Sequence, residues 1–487
     1  MLQDADALPQ LIGDYKPLDE WQAHINTLFY RLRGDKLRTY YQTFASADYR
    51  LAHALAADYF EQVTKREKAR GQGREARGES KDAPPPSPAS LAPRLIVLEL
   101  GPGNGNLAAC FLSHLKTLDK DGLVYPRVRY VLVDWEQSIL DGALAHPDLV
   151  PHRDRVEGLQ GSVEHIAGVA DHSVDRIICS ELWNDLPTKL MARNAGEIEE
   201  EYLRPNLSEM LHATIQDWSG FVRAFEAKDV ERLKTFPAFL DDLVWEKEFR
   251  KVEWKDVPYR KTITEFLKTI DEQVLVPVNL GAFATLKEAK RLLAPDAVGF
   301  SAFDAGTADP KVLNDPDKPC YGQFGGQYSF MINFALVEAV AKHLGLGRIT
   351  IEPQREFVGR SLNTNVITLM DLLATHPSAG PKLQSWEQDR LVLKTIKALN
   401  ESYESPYSRK LDFPLQDKMP QEERETLNGM LLSLKRNGVP DTVAYLTEEE
   451  LATAAPDLEG VGYDPDTVNV ALTAPPSPIE YHHFTCK

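Results

Sequence analysis

The feature that most constrains the fold is an apolar run that leads directly into a glycine turn. The run is Leu95-Ile-Val-Leu-Glu-Leu100, the turn is Gly101-Pro-Gly-Asn-Gly105, and an apolar stretch over 107–118 follows. A continuous apolar run is typical of a strand that is buried on both faces of a parallel sheet. Glycines allow positive φ angles and a close approach of the backbone to a ligand. The segment therefore predicts a strand, a turn and a helix of an α/β protein.

The spacing of the glycines and two nearby acids indicates the kind of ligand. A dinucleotide fingerprint, Gly-x-Gly-x-x-Gly, would place its third glycine at Asn106, but here it is Gly105. Glu99 lies two residues before the turn, and the next predicted strand, over 129–134, ends in Asp134. An acid at that strand end accepts hydrogen bonds from ribose hydroxyls in doubly wound sheets. Asp134 alone would be read as a solvated acid, but the two signals together favour a nucleoside-containing cofactor.

This pattern resembles motif I of the class I S-adenosylmethionine-dependent methyltransferases, and the early third glycine disfavours a nicotinamide-dependent oxidoreductase. The helix N-terminus behind the turn favours a carboxylate, such as that of the methionine part of the cofactor. The resemblance implies an α/β fold with a doubly wound, Rossmann-like class I methyltransferase sheet and S-adenosyl-L-methionine as cofactor. The cofactor-binding residues that it implies are Glu99, Gly101, Gly103, Gly105, Asp134 and Ser162. The alternative for Ser162 is an ordinary loop serine.

A second cluster of polar residues follows the apolar run Val174–Cys179. It reads Ser180-Glu-Leu-Trp-Asn-Asp-Leu-Pro187. Ligands and catalytic groups in open α/β sheets lie at the carboxyl ends of the strands, which favours a functional role for these residues. The structural alternatives are a turn ahead of the proline for Asn184 and Asp185, a helix-start acid for Glu181, and packing for Trp183. The residues alone leave both interpretations open.

In their order along the chain, these segments resemble the MidA family of class I methyltransferases, which includes a mitochondrial complex I assembly-factor methyltransferase. The family's Gly-Pro-Gly-x-Gly motif matches Gly101–Gly105, and its Asn-Glu-Phe-Phe-Asp-Ala-Leu-Pro motif matches Ser180–Pro187. Residues 304–306, 331–334 and 354–358 are similar to later family motifs, so the resemblance spans about 40–360. The positions that depart from the family's residues are Ser180, Asn184, Met331 and Asn333.

The resemblance implies methyl transfer to a nitrogen of a protein or peptide, arginine-type in the family. A guanidinium stays charged and binds best to a carboxylate that accepts two hydrogen bonds. We therefore predict Glu181 first and Asp185 second as catalytic residues, with Trp183 and Asn184 in contact with the substrate. Trp183 would stack on a cation. The alternative function is an assembly or scaffold protein on the same fold, with or without the cofactor.

Composition and charge narrow the class of protein. The chain has 487 residues, 43% of them hydrophobic, and a formal net charge of −18. That charge disfavours nucleic acid as a partner and suits a cationic protein segment. No stretch approaches the length of a membrane span, and the acidic start resembles no signal or transit peptide, so we expect a cytoplasmic protein. The four cysteines lie far apart, and His482-His483 lacks a third ligand, so we predict neither a disulfide nor a metal site.

Composition along the chain also suggests its domains. We expect an N-terminal helical segment over 1–70, a Pro/Gly-rich linker over 71–93, a methyltransferase core over 94–360, and a C-terminal helical extension and tail over 361–487. Within the core, a helical insertion over 194–270 directly follows the Glu181 cluster. It is expected to cover the carboxyl edge of the sheet and to restrict access to the site. The tail from Ala454, rich in Pro, Asp and Gly, is expected to be ill-structured.

Overall fold

The structure is a computed structural model that describes most of the chain. The described residues are 10–33, 48–76, 94–379, 383–400, 406–407, 413, 415, 419–434, 445–474, 477 and 479–487. Most of the predicted linker, 77–93, and two parts of the predicted N-terminal segment, 1–9 and 34–47, lie outside these ranges. None of the helices within them combines the length and the apolar character needed to cross a bilayer.

The centre of the molecule is an eight-stranded, mostly parallel sheet. Its seven main strands are β1 (Leu95–Leu100), β2 (Val128–Asp134), β3 (Val156–Gln160), β4 (Val174–Ser180), β5 (Gly299–Thr307), β6 (Thr350–Pro353) and β7 (Glu480–Cys486). Their spatial order is β3-β2-β1-β4-β5-β7-β6, and the short strand Ile332–Asn333 pairs with the end of β5. Strands β1 to β5 run parallel, and β7 is antiparallel to both of its neighbours. The predicted fold class, a doubly wound class I methyltransferase sheet, is confirmed.

Helices cover both faces of this sheet. Along the chain, helices of this part of the molecule are α1 (Leu18–Arg33), α2 (Arg50–Ala76), α3 (Asn106–Leu118), α4 (Gln137–Leu144), α5 (Leu280–Leu292), α6 (Phe334–His343) and α7 (Gln354–Leu362). One apolar cluster joins Val97 of β1 to α2, α3 and α7, and another joins Leu98 to α5 and α6. Successive strand residues point to opposite faces, so the apolar run of β1 supplies both clusters.

The insertion after β4 is mixed α/β, so the prediction that it is helical is wrong. The strands Lys16–Pro17, Lys189–Asn194, Glu197–Leu207, Leu243–Lys251 and Val276–Val278 form a second sheet. The helices of the insertion are short, Glu209–His212, Trp218–Ala227, Val230–Leu233 and Arg260–Leu267. Charges that suggested helix surfaces instead form ion pairs between two long antiparallel strands, such as Lys247 with Glu201 and Lys251 with Glu197. Opposite charges stabilise such strand pairs, and their partners are too distant in sequence to be recognised locally.

The C-terminal extension precedes the last strand of the central sheet. Its helices are Leu369–Ala374, Ser385–Asn400, Gln421–Ser433, Glu448–Gly460 and Pro465–Thr473, and Val366–Thr368 pairs with Tyr445–Thr447. These elements share an apolar cluster of their own. The buried guanidinium of Arg50 forms ion pairs with Asp48 and Glu450, and so links the extension to α2.

The prediction of an ill-structured tail is also wrong. Residues 448–460 and 465–473 are helical, and β7 pairs with β5 over seven residues, from Phe300 opposite Cys486 to Gly306 opposite Glu480. His483, one of the two adjacent histidines, is buried and bonded to Ser301 and Glu352. The strand could not be recognised from the composition of the tail, because its partner strands β5 and β6 lie roughly 180 and 130 residues earlier in the chain.

Candidate functional site

The glycine turn has one face that the described residues leave open. Gly101, Gly103 and Gly105 all have positive φ angles, of 67°, 53° and 81°. A Cβ on Gly105 would lie 2.5 Å from the carbonyl oxygen of Ala143, and one on Gly101 would lie 3.1 Å from Leu182. A Cβ on Gly103 would meet no atom of the described residues within 4 Å. Packing therefore explains the first and third glycines, whereas the second leaves backbone accessible to a ligand.

Asp134 lies at the end of β2, beside this turn. The amide of Gly101 donates to the carbonyl of Val133 over 2.9 Å, which joins the two strand ends. The Asp134 carboxylate accepts the amide of Glu136 at 2.9 Å, and its burial raises the pKa to about 6. Ser162 follows nearby, since the amide of Gly161 donates to the carbonyl of Asp134; its side chain is exposed and accepts the amide of Glu164.

Glu99 faces the interior of the protein. Its side chain is buried and accepts a hydrogen bond of 2.8 Å from the hydroxyl of Tyr130. Burial raises the pKa of this carboxyl to about 8. Its predicted contact with a cofactor stays a prediction, and Tyr130 is its observed partner.

Glu181 begins the loop 181–187, called the Glu181 loop below, in an unusual backbone conformation. Its φ is 50°, in the left-handed region that non-glycine residues seldom adopt. Its amide donates to the carbonyl of Phe303 in β5 over 2.7 Å, and its Oε2 accepts from the hydroxyl of Tyr481 at 3.1 Å. Strained residues held by long-range contacts cluster at functional sites, which supports a role for Glu181. Leu182 then covers Gly101, so the loop lies against the glycine turn.

Asp185 contributes a second carboxyl group, which is buried. Burial raises its pKa to about 7. The hydroxyl of Tyr30 in α1 donates to its Oδ2, and Gln327 donates to the Tyr30 oxygen over 3.1 Å. The other oxygen, Oδ1, is buried and has no hydrogen-bond partner within the described ranges. Since buried polar atoms are normally bonded, this oxygen is suited to a donor from a ligand or a water molecule.

Two of the three residues between these acids, Trp183 and Asn184, are buried. Trp183 is fully buried, its indole N–H donates to Thr285 over 2.8 Å, and its ring stacks on Phe300. This geometry favours the packing alternative for Trp183, and its contact with a substrate stays a prediction. The amide of Asn184 donates to the carboxyl group of Asp304 at 3.1 Å, while its side-chain Oδ1 has no partner in the described part of the chain.

Asp304 is a third acid that sequence reasoning did not place in the site. It lies in β5, is buried, and accepts the amides of Asn184 and Ala305. Burial raises its pKa well above the usual value, and the negative charges of Glu181 and Asp185 raise it further. The end of β4 and the neighbouring part of β5 thus bring three carboxyl groups together. The sequence feature that could have identified Asp304 as a site residue is its place in the Asp304-Ala-Gly306 segment, near the predicted end of a strand.

A cavity of about 460 Å³ opens at the same edge of the sheet. The residues that line it are Tyr30, Arg31, Glu136, Ser138, Lys228, Asp229, Val230, Glu231 and Lys234. The last five belong to the insertion, which therefore reaches the carboxyl edge as expected; that it restricts access stays a prediction. Trp135, which follows Asp134, is half-exposed, and the Arg31 guanidinium lies 5.2 Å from the centre of its ring.

The site offers hydrogen-bond acceptors and an open backbone. Within the residues that the structure describes, no group of three or more His, Cys, Asp or Glu side chains could hold a metal ion. Sequence reasoning identified the glycine turn, Asp134 and the Glu181 loop, which adjacent strands β2, β1 and β4 bring together. It missed Tyr30, Tyr481 and Asp304, which are supplied by other parts of the chain.

Comparisons with known proteins found distant structural similarities. No family model matches the chain, and no curated protein matches it. An uncharacterized superfamily protein from Burkholderia thailandensis is 14% identical to this chain, with a TM-score of 0.42. A likely methyl transferase from the same organism, bound to S-adenosyl-homocysteine, is 12% identical, also with a TM-score of 0.42. Each of these two similarities covers 74% of this chain and 78% of the other chain. A phosphoethanolamine N-methyltransferase from Haemonchus contortus, in complex with S-adenosyl-L-methionine, is 10% identical with a TM-score of 0.29, over 82% of this chain and 49% of that one. Similarities this weak assign neither a cofactor nor a substrate to this chain.

Proposed function

We propose that this protein is an S-adenosylmethionine-dependent methyltransferase that methylates a nitrogen of a protein or peptide. The observation that carries the proposal is the open face of the glycine turn at Gly103, beside the buried acid Asp134. A ligand with a ribose and a carboxylate fits these residues. Asp134 would accept the ribose hydroxyls, and the amides at the start of α3 would bind the carboxylate. The exposed ring of Trp135 offers a face on which an aromatic base can stack.

The bound cofactor would supply the methyl group, and the chain's own residues would bind and orient the acceptor. Glu181 and Asp185 provide carboxyl groups at the end of β4, with Leu182 of the same loop against the glycine turn. A carboxylate binds a guanidinium or an amine through charge-assisted hydrogen bonds and can take up its proton. Glu181 is our first choice for this role. The net charge of −18 is compatible with a cationic protein segment as substrate.

The alternative is an assembly or scaffold protein that retains the fold, with or without the cofactor. It is favoured by Ser180 and Asn184, which replace an asparagine and an aspartate of the resembled motif. In this alternative the glycine turn would have no catalytic use, and the carboxyl groups would only stabilise the loop.

Calorimetric titration of the full chain with S-adenosylmethionine, S-adenosylhomocysteine and NAD tests the proposal. We expect binding of the first two ligands and none of NAD. The next step is to incubate the protein with cationic peptides and S-adenosylmethionine, and to search for added methyl groups by mass spectrometry. Cofactor binding without transfer to any peptide or partner protein would favour the scaffold alternative. Absence of binding to both methionine-derived ligands would refute the methyltransferase proposal.

A further inference from the structure

Helix α1 presents a row of polar side chains to the Glu181 loop. Gln22, Asn26 and Tyr30 are spaced by four residues, so they lie on one face of the helix. The amide group of Gln22 donates to the carbonyl of Leu186 over 2.9 Å and accepts the amide of Thr188 at 2.8 Å. Asn26 donates to the carbonyl of Asp185 at 3.2 Å, and Tyr30 donates to the carboxyl group of the same residue. One helix face therefore bonds to both the backbone and the side chain of the loop.

The same helix face also binds a neighbouring hairpin, Tyr321–Phe324 with Gln327–Phe330. Asn26 exchanges two hydrogen bonds of 3.0 Å with the backbone of Tyr328, and Gln327 donates to the Tyr30 hydroxyl. Gln22 and Asn26 are buried, so breaking these bonds would leave their polar groups without a hydrogen-bond partner, because water does not reach them. The hydroxyl of Tyr30 is thus oriented from one side by Gln327 and directed at Asp185 on the other.

The arrangement makes the two oxygens of Asp185 different. Oδ2 is occupied by Tyr30, whereas Oδ1 is buried without a partner in the described residues. Tyr30 also lines the cavity at the carboxyl edge of the sheet. A carboxyl group whose one oxygen is fixed by the protein keeps the other in a constant place for an incoming donor.

We propose that Tyr30 is a positioning residue. It holds Asp185 so that Oδ1 accepts a hydrogen bond from the nitrogen of a cationic substrate, the same nitrogen that receives the methyl group. The proposal rests on the proposed methyltransferase function for the identity of that donor. The hydrogen bond from Tyr30 to Asp185 is itself present in the protein without any ligand. Its side chain touches Asp185 directly, and α1 thereby becomes part of the site although it lies far from the glycine turn in sequence.

Ionisation of Asp185 gives a readout that a merely structural role of Tyr30 would not change. A phenol that donates to a carboxylate stabilises the charged form, so its removal raises the carboxyl pKa. The described side chains that act on the pKa of Asp185 are Tyr30 on α1 and Gln327 in the hairpin, and Asp304 on β5 is coupled to Asp185 by charge. None of them is a cation, so no positive charge compensates for the lost hydroxyl.

The experiment follows the protonated carboxyl band of Asp185 by infrared spectroscopy as a function of pH in the full chain. The spectrum of Asp185→Asn, subtracted from that of the unaltered protein, assigns the band. We expect Tyr30→Phe to move the midpoint upward by about one pH unit, the scale of one hydrogen bond to a charged group. Tyr15→Phe is the matched control, because it removes a hydroxyl bonded to Glu246 in the insertion and should leave the midpoint unchanged.

An unchanged midpoint in folded Tyr30→Phe would overturn the proposal. If that variant fails to fold, Gln327→Met replaces it. Gln327 orients the Tyr30 hydroxyl and also lowers the pKa of Asp185 through a side-chain hydrogen bond, so this variant should raise the midpoint too, and an unchanged value would overturn the proposal as well. Calorimetry with S-adenosylmethionine on the same proteins separates the two ideas. A shifted midpoint with intact cofactor binding supports the positioning role of Tyr30. If the unaltered protein binds no cofactor, the methyltransferase function is refuted, and the titration of Asp185 still tests the role of Tyr30.

Discussion

The hydroxyl of Tyr481 donates a hydrogen bond to Oε2 of Glu181 across 3.1 Å, although 300 positions separate the two residues. Tyr481 belongs to β7 and lies opposite Ala305 of β5, the strand whose Phe303 carbonyl accepts the Glu181 amide. The last strand of the chain therefore fixes the side chain of the residue that we propose as catalytic, while β5 fixes its backbone.

Replacing Glu181 by glutamine tests its proposed catalytic role. Glu181→Gln keeps the shape of the side chain and an acceptor for Tyr481 but removes the charge. We expect cofactor affinity to be retained and turnover to fall by about two orders of magnitude, the usual scale for a positioned acid–base group. Glu197→Gln, at the start of a strand of the insertion, is the control and should behave like the unaltered protein. Full turnover in Glu181→Gln would remove this residue from the mechanism, and lost affinity would assign it to cofactor binding.

The glycine turn can be tested with two matched substitutions. Gly103 and Gly196 both have a positive φ, and no atom of the described part of the chain lies where a Cβ would stand, so valine imposes similar backbone strain at each. We expect Gly103→Val to abolish binding of S-adenosylmethionine in calorimetry, because its side chain would occupy the approach to the backbone. Gly196→Val, in the insertion, should bind normally. Equal affinities for the two variants would contradict the proposed cofactor site.

Asp134 should contribute through hydrogen bonds to the ribose. We expect Asp134→Ala to weaken cofactor binding by roughly 1.5–3 kcal/mol, the scale of hydrogen bonds to a charged group. Because burial raises the pKa of Asp134 to about 6, affinity should also fall as the pH drops through this value and the carboxylate becomes protonated. Asp141→Ala, an exposed substitution on α4, is the control. A flat affinity between pH 5 and pH 8 would argue against a charged Asp134 in the complex.

Glu99 should make the stability of the protein depend on pH. Its pKa is about 8 in the folded protein and 4.5 for an unburied carboxyl, so the folded state binds more protons than the unfolded state between these values. The stabilisation is therefore complete below about pH 4.5 and is lost as the pH rises through 8. In urea titrations, the free energy of unfolding should fall between pH 6 and pH 9 in both proteins. We expect the fall to be about 1–3 kcal/mol smaller in Glu99→Gln than in the unaltered protein. An identical pH dependence in both proteins would mean that Glu99 titrates normally.

The importance of the last strand can be measured at Phe484. Its side chain is fully buried against Trp183 and Phe300. We expect Phe484→Ala to lower the free energy of unfolding by about 3–5 kcal/mol, as for other buried aromatic residues. Val470→Ala, at a half-exposed position of the preceding helix, should cost well under 1 kcal/mol. Similar losses for the two variants would show that β7 is not part of the folded core in solution.

Local patterns were sufficient to predict the glycine turn and its strand. The run Leu95–Leu100 is buried except for Ile96, which is partly exposed, because the residues of a central parallel strand face helix layers, and this leaves a signal in consecutive residues. The left-handed conformations of Gly101, Gly103 and Gly105 and the carboxyl-edge position of Asp134 follow from the same short segments. The Glu181 loop was also identified, since the end of a strand is marked by the change from apolar to polar residues.

The sequence by itself therefore determined the fold class and the part of the site formed by neighbouring residues, because strand, turn and helix signals are local. Only the tertiary structure decided which distant residues complete that site. Tyr30 comes from α1 and Tyr481 from β7, and hydrogen bonds between such distant segments leave no periodic signal in either one. The burial of Trp183 likewise depends on Phe300 and Phe484, which approach it only after β7 has paired with β5. Burial and pairing are properties of the whole assembled sheet, and they decide whether an aromatic or acidic side chain packs, titrates or meets a ligand.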